Sequence, residues 1–300
     1  MLTDRSNAKG LQLFYAAVPL LLSFIISIIS FFAAVFIRGF YYHTNIAEEN
    51  AADDGIVYLI NYGMQIIIFG FWYLTLRKRE DAISQEQGSD TPKKTKNKEK
   101  ASAGTGQSSA ETARKKKWNP VAYWAKRLPL LIVLGYALQL AVSGIIAALS
   151  AAFPELFSSY KELIQSLTGD GVDWLTLLAV SFLAPIGEEF LFRGVTLHFA
   201  RKALPVKWAI IFQAVLFGIY HLNLVQFVYA VAVGLLLGML AEQAGSVIPG
   251  IVLHMIINLT SYLVPSIFLD NIPKAVFTAV IATAIAVPCC ILLLKRKKRR

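Results

Sequence analysis

Glu188, Glu189 and Arg193 are the residues best placed by type and spacing to do chemistry, because they stand inside an apolar run from Trp174 to about Phe199. That run is long enough to cross a bilayer. Each charged group costs about 3 kcal/mol at a membrane centre on insertion scales, so such groups persist where they face a protein interior or a wet cavity. On a helix, Glu189 and Arg193 stand at i and i+4 on one face, acid before base, the favourable order. Glu188 points about 100° away from Glu189. The spacing predicts a division of labour, with Glu189 held ionised by Arg193 and Glu188 left free for other work.

Three more polar groups fall at comparable depth. If the cytoplasmic end of this span is Arg201, Glu188 lies about 18 Å below it at the helical rise. Counted from Lys207, His221 is about 21 Å deep, and counted from Ser246, His254 and Asn258 are about 12 and 18 Å deep. His254 and Asn258 again share one face at i and i+4. Taken singly, each has a plain structural reading: a packed histidine, interhelical amide glue, a structural ion pair. Together they require one polar cavity. His198 beside Arg201 reads as a solvated interfacial residue, Glu242 as a turn or surface residue, and His43 as a loop residue without a role.

A general base (Glu188), two imidazoles and an amide donor are what peptide hydrolysis asks for: an activated water and support for the oxyanion. A carboxylate with two histidines (Glu188, His221, His254) is also a ligand set for one divalent metal with a position open for water. No HExxH, GxGD or GxSG pattern occurs. Zincin, presenilin-like and rhomboid mechanisms therefore lack their residues.

The elements that must position these groups are helices in a membrane. Hydrophobic residues make up 56% of the chain and mean hydropathy is +0.56, outside the range of an ordinary soluble domain. We read an all-α, multispanning helical membrane protein of about eight spans. They fall at about 12–37, 56–76, 129–152, 174–199, 207–221, 224–240, 247–263 and 275–294. The first is too long for a signal-peptide core. Ala, Ser143 and Gly144 in the third suit close helix packing, as do Gly234 and Gly238 in the sixth. Residues 153–173 read as an amphipathic surface helix, and 242–246 as a tight turn. The domain reading is a two-span N-terminal region (1–80), a basic disordered cytoplasmic linker (81–117), a bundle (118–294) and a basic cytoplasmic tail (295–300).

The net charge of +10 resembles a nucleic-acid signature, but its placement argues for topology. Of the 29 Lys and Arg, only Arg38, Lys161 and Lys274 lie in odd-numbered loops, and Arg193 lies within a span. Positive residues flank cytoplasmic ends, which places both termini in the cytoplasm of a multi-pass cell-membrane protein. The basic linker and tail suit anionic lipid headgroups, and no nucleic-acid partner is expected. Cys289 and Cys290 are adjacent and build no disulfide framework.

At its motifs the chain resembles the CPBP family: type II CAAX prenyl proteases and bacterial relatives linked to bacteriocin self-immunity. The family signature EExxxR, FxxxH, HxxxN is matched in order by Glu188-Glu189…Arg193, Phe217…His221 and His254…Asn258. The resemblance covers about 118–265. It implies an intramembrane endopeptidase acting on a membrane-embedded or lipidated protein or peptide. Glu188 and His221 would activate water, His254 and Asn258 would stabilise the oxyanion, and Glu189 with Arg193 would shape the site. Phe217 supports the motif. The family is commonly called a metalloprotease family, which implies one divalent metal, zinc, on Glu188, His221 and His254. Two other readings stand beside it. One is a non-catalytic immunity or scaffold protein of the same fold. The other is a proton-coupled transporter, which would be expected to carry an internal repeat that this chain lacks.

Overall fold

The computed structural model describes residues 2–41, 54–89, 120–168, 174–264 and 266–295. Apart from short turns these residues are helical, and they contain no strand. Helices α1 (Leu2–Tyr41), α2 (Asp54–Ser89), α3 (Pro120–Ala125), α4 (Leu128–Ala152) and α5 (Ser158–Thr168) come first. The motif's span, Trp174–Ala203, follows as one continuous rod of α6 (Trp174–Leu178), a π segment (Ala179–Leu183), α7 (Ala184–Glu189), a second π segment (Phe190–Thr196) and α8 (Leu197–Ala203). Then come α9 (Val206–Tyr220), α10 (Leu224–Ala244), α11 (Ile248–Ser261) and α12 (Ile272–Leu294).

Six of these rods are long and apolar enough to cross a membrane, and α9 and α11 are shorter apolar helices beside them. The count of about eight follows. Large apolar side chains cover the outside: Phe32, Phe36, Ile67, Phe71, Phe277 and Val280 are all well exposed. A water-soluble monomer does not present so extended an apolar surface, whereas lipid accepts it.

Two packed groups of helices flank the motif's span. On one side α1 and α2 meet the second π segment and α9 through Leu20, Ile26, Phe69, Phe192 and Phe217. On the other, α4 and α12 meet α10 and α11 through Leu134, Leu237, Leu240, Leu253 and Leu293. Small residues permit the closest approaches. A Cβ at Gly144 would stand 2.6 Å from the Ala275 carbonyl oxygen of α12, and one at Gly234 would stand 3.1 Å from Ala214 Cα of α9. The packing role expected of both glycines is met.

Several boundaries differ from the sequence reading. Helix α2 runs on to Ser89, so residues 81–89 of the expected disordered linker are helical. A polar surface helix leaving the membrane lacks the hydropathy contrast that would announce it. The linker from 90, and the tail after Lys295, lie outside the described residues. The expected turn at 242–246 is shorter, because α10 continues through Ala244 and stops at Gly245, whose φ of 62° glycine adopts without the Cβ penalty. Helix α5 supplies the expected surface helix, and burial holds its Tyr160 phenol above the usual range.

Candidate functional site

Pro185 shapes the local geometry of the motif. Without an N–H it cannot donate to Ser181, and a regular α-helix would break there. The rod instead widens: Ala184 N–H bonds to the Ala179 carbonyl five residues back. It widens again after the acids, where Leu197 N–H reaches the Phe192 carbonyl. Single π turns of this kind recur at functional sites. Here they bracket Glu188 and Glu189.

Glu189 is fully buried and joins two helices. Its Oε1 stands 2.9 Å from Arg193 Nη1, the pair that the i, i+4 spacing predicts. The same oxygen stands 3.2 Å from His254 Nδ1 on α11. Its other oxygen lies against Gly250, where a Cβ would stand 2.6 Å away. Gly250 belongs to the first turn of α11, so the carboxylate packs against the start of that helix, its Oε2 making no hydrogen bond there. The sequence reading gave Glu189 one partner, but the structure gives it a cation, an imidazole and a helix end.

Arg193 is equally buried. Its Nη2 donates to the Gly234 carbonyl at 3.3 Å, and its guanidinium lies 4.4 Å from the Phe217 ring centroid. Gln213, absent from the sequence reading, donates to the same Gly234 carbonyl at 2.9 Å. Phe217 also stands edge-on to both imidazoles, 4.9 Å from His221 and 5.7 Å from His254 between centroids. The F-x-x-x-H spacing thus places one ring against both histidines and the arginine.

Glu188 leaves the rod on a different side and meets the far nitrogen of His254: Oε2 to Nε2 is 3.7 Å. Both residues are buried. That distance exceeds a direct hydrogen bond, so each group retains capacity for a third partner. The contact of Nδ1 with Glu189 fixes the orientation of the His254 ring and leaves Nε2 facing Glu188.

His221 ends α9. Its Nδ1 lies 2.8 Å from the Phe217 carbonyl, which directs Nε2 away from its own helix. The next residue, Leu222, adopts φ 53°, an uncommon conformation for a branched side chain, and Asn223 caps α10 by accepting from Val225 and Gln226 N–H. Helix α9 therefore stops at His221 without a glycine or proline. His221 forms no ion pair within 4.0 Å of Glu188, unlike His254. Asn258 Nδ2 donates to the Val180 carbonyl at 2.9 Å, tying α11 to the first π segment. One of its two amide hydrogens is thus engaged as interhelical glue.

Among the described residues, no three of His, Cys, Asp and Glu stand where they could hold one metal ion. Glu188, His221 and His254 are therefore not gathered as a ligand set in this structure. His198 and Glu242 are less solvated than expected. His198 Nδ1 is 3.0 Å from Glu80, and Glu242 is 3.0 Å from Arg201, around a cavity of about 170 Å³ that Arg193 also lines.

The fold and the buried acid–imidazole–guanidinium cluster define a multi-pass helical membrane protein with a polar site inside its bundle. Residues 170–260 match the family model described as "Type II CAAX prenyl endopeptidase Rce1-like". The matched segment is similar to that family, consistent with the CPBP resemblance, and it contains every motif residue from Glu188 to Asn258. No curated protein and no solved structure matches the chain.

Proposed function

We propose that the protein is an intramembrane endopeptidase that hydrolyses a peptide bond of a membrane-associated substrate, of the CAAX type named by its domain family. The supporting observation is Glu188 facing His254 Nε2 at 3.7 Å while Glu189 holds the other ring nitrogen. Glu188 accepts a proton from water, and the resulting hydroxide oxygen attacks the substrate carbonyl carbon. The carbonyl oxygen becomes an oxyanion, stabilised by protonated His254 and by the remaining Asn258 amide hydrogen. Collapse breaks the C–N bond, and the proton held by Glu188 passes to the leaving amine. His221, across Phe217, is the second imidazole available to orient the water.

In this reading both termini lie in the cytoplasm, the substrate is embedded or lipidated, and the basic linker and tail meet anionic headgroups. Because the three candidate ligands are not gathered, every step is assigned to protein groups alone. Cleavage should survive incubation with a chelator. Loss that zinc restores would show that Glu188, His221 and His254 close on a metal.

The deciding experiment uses the purified full chain in nanodiscs with an internally quenched, farnesylated CAAX-type peptide. Glu188→Gln should abolish cleavage while leaving the folded protein in the membrane, since glutamine keeps the size and loses the base. An active Glu188→Gln protein would remove the assignment. A folded wild-type chain that cleaves neither this peptide nor its unprenylated form would favour the binding-only alternative.

A further inference from the structure

Gln213 has no part in the scheme above, yet it is fully buried midway along α9. A buried amide at membrane depth is costly unless its hydrogen bonds are made. Gln213 Nε2 donates to the Ile210 carbonyl of its own helix at 2.9 Å and to the Gly234 carbonyl of α10 at 2.9 Å. Two carbonyl acceptors fix which end of the amide faces α10, since only its nitrogen donates. The Gly234 carbonyl is also where Arg193 Nη2 donates, at 3.3 Å. Gly238, one turn further along α10, leaves room for the amide at that oxygen: a Cβ there would stand 2.5 Å from Gln213 Nε2.

From that oxygen the contacts run to the imidazole without a gap. Arg193 Nη1 stands 2.9 Å from Glu189 Oε1, and the same carboxylate oxygen stands 3.2 Å from His254 Nδ1. Phe217, one turn beyond Gln213 and so on the same face of α9, places its ring centroid 4.4 Å from the Arg193 guanidinium. One face of α9 therefore supplies both the ring beside Arg193 and the amide that grips its carbonyl acceptor. A second interhelical glutamine shows what helix glue alone looks like. Gln243 Nε2 of α10 donates to the Leu293 carbonyl of α12 at 3.0 Å, and among the described residues no motif side chain bonds to that carbonyl.

We propose that Gln213 is a positioning residue of the site: it holds the Gly234 carbonyl in place for Arg193, and through the Arg193–Glu189 pair it fixes the His254 ring. The effect on catalysis rests on the hydrolytic reading above, but the positioning itself does not.

The test therefore has two arms, both on the full chain in nanodiscs. In the first, arginine and histidine are isotope-labelled at their side-chain nitrogens, and magnetic resonance records the Arg193 guanidinium and the His254 ring. The two signals are assigned by their loss in Arg193→Gln and His254→Gln. Gln213→Met keeps the side-chain length and removes both donated bonds, whereas Gly238→Ala keeps the amide and displaces it from the carbonyl. Each should shift both signals, and Gln243→Met, which removes the other interhelical glutamine, should shift neither. In the second arm the farnesylated quenched peptide is the substrate. Gln213→Met and Gly238→Ala should lower kcat on the order of tenfold at matched folded protein, with KM little changed. Gln243→Met should leave kcat as it is. A His254 signal indifferent to both Gln213→Met and Gly238→Ala overturns the proposal whatever the activity, and so does an equal shift from Gln243→Met. Loss of the folded protein in both variants makes Gln213 a packing residue and overturns it too. Shifted signals with unchanged kcat in a cleaving protein overturn its catalytic part. Shifted signals in a chain that cleaves nothing uphold the positioning and overturn the hydrolytic reading instead.

Discussion

Glu189 and Glu188 are adjacent in sequence yet occupy different electrostatic positions. Glu189 stands against Arg193, His254 and the first turn of α11, whereas among the described residues Glu188 pairs with the far nitrogen of the same histidine at a longer distance. Glu189 is thus the anchor and Glu188 the group with spare capacity. Removing one member of a buried ion pair leaves the other uncompensated, at a cost of about 3–5 kcal/mol. Glu189→Gln and Arg193→Gln should each lower the melting temperature in detergent, and the double change should cost less than the sum of the two. The structure adds an asymmetry. Glu189→Gln also loosens His254, so at matched folded fraction it should lose more cleavage activity than Arg193→Gln. A double-mutant cycle on melting temperature, with cleavage measured in parallel, checks both expectations; additive stability losses would break the ion-pair assignment.

At the scale of elements, the site depends on how closely helices approach the motif's rod. Gly250 lets α11 start beside the Glu189 carboxylate, and Gly187 lets α2 pass beside α7. Both approaches need the absence of a side chain rather than conformational freedom, since both glycines lie in ordinary helix. Gly250→Ala should push the Glu189 carboxylate away from His254. Overpacking of this kind costs about 1–3 kcal/mol. Activity should fall by more than the lost folded fraction explains, because the displaced oxygen belongs to the carboxylate that orients the imidazole. Measuring kcat and melting temperature together separates the two effects. An unchanged kcat would mean that His254 does not depend on Glu189 for its orientation. The π segments serve the same end, since the widened turn before Pro185 is where Asn258 attaches through the Val180 carbonyl.

The whole molecule is a layered bundle, with α1 and α2 on one side of the motif's rod and α4 and α12 on the other. Its orientation in the membrane is a separate property, carried by charge. The cavity among Arg77, Glu80, His198, Arg201 and Glu242 lies at the end where positive residues collect, which the proposed orientation puts in the cytoplasm. Ser84 stands on the exposed continuation of α2 at that end. In a background with Cys289 and Cys290 replaced, Ser84→Cys should react with an impermeant maleimide only after the cells are permeabilised. Labelling in intact cells would invert the orientation, and with it the side from which substrate arrives.

Much of this protein is legible in its sequence because the governing interactions are local. Long apolar runs must be spans, whatever packs beside them, and the spans at 129–152, 207–221 and 224–240 fall within a few residues of α4, α9 and α10. The Glu189–Arg193 pair is likewise a matter of helical repeat, and the structure places it as the spacing predicts. Faces are another matter. A helix in lipid is apolar all round, so its hydrophobic pattern does not say which side meets a neighbour. Only the tertiary packing decided that Glu189, not Glu188, takes the nearer contact with His254. It alone set Asn258 on the Val180 carbonyl and kept Glu188, His221 and His254 from gathering around one point. It also brought Gln65 of α2 to Tyr220, across 155 residues of chain. Such contacts depend on where small residues let helices approach, and a single sequence contains no local signal for which of its glycines will face which partner.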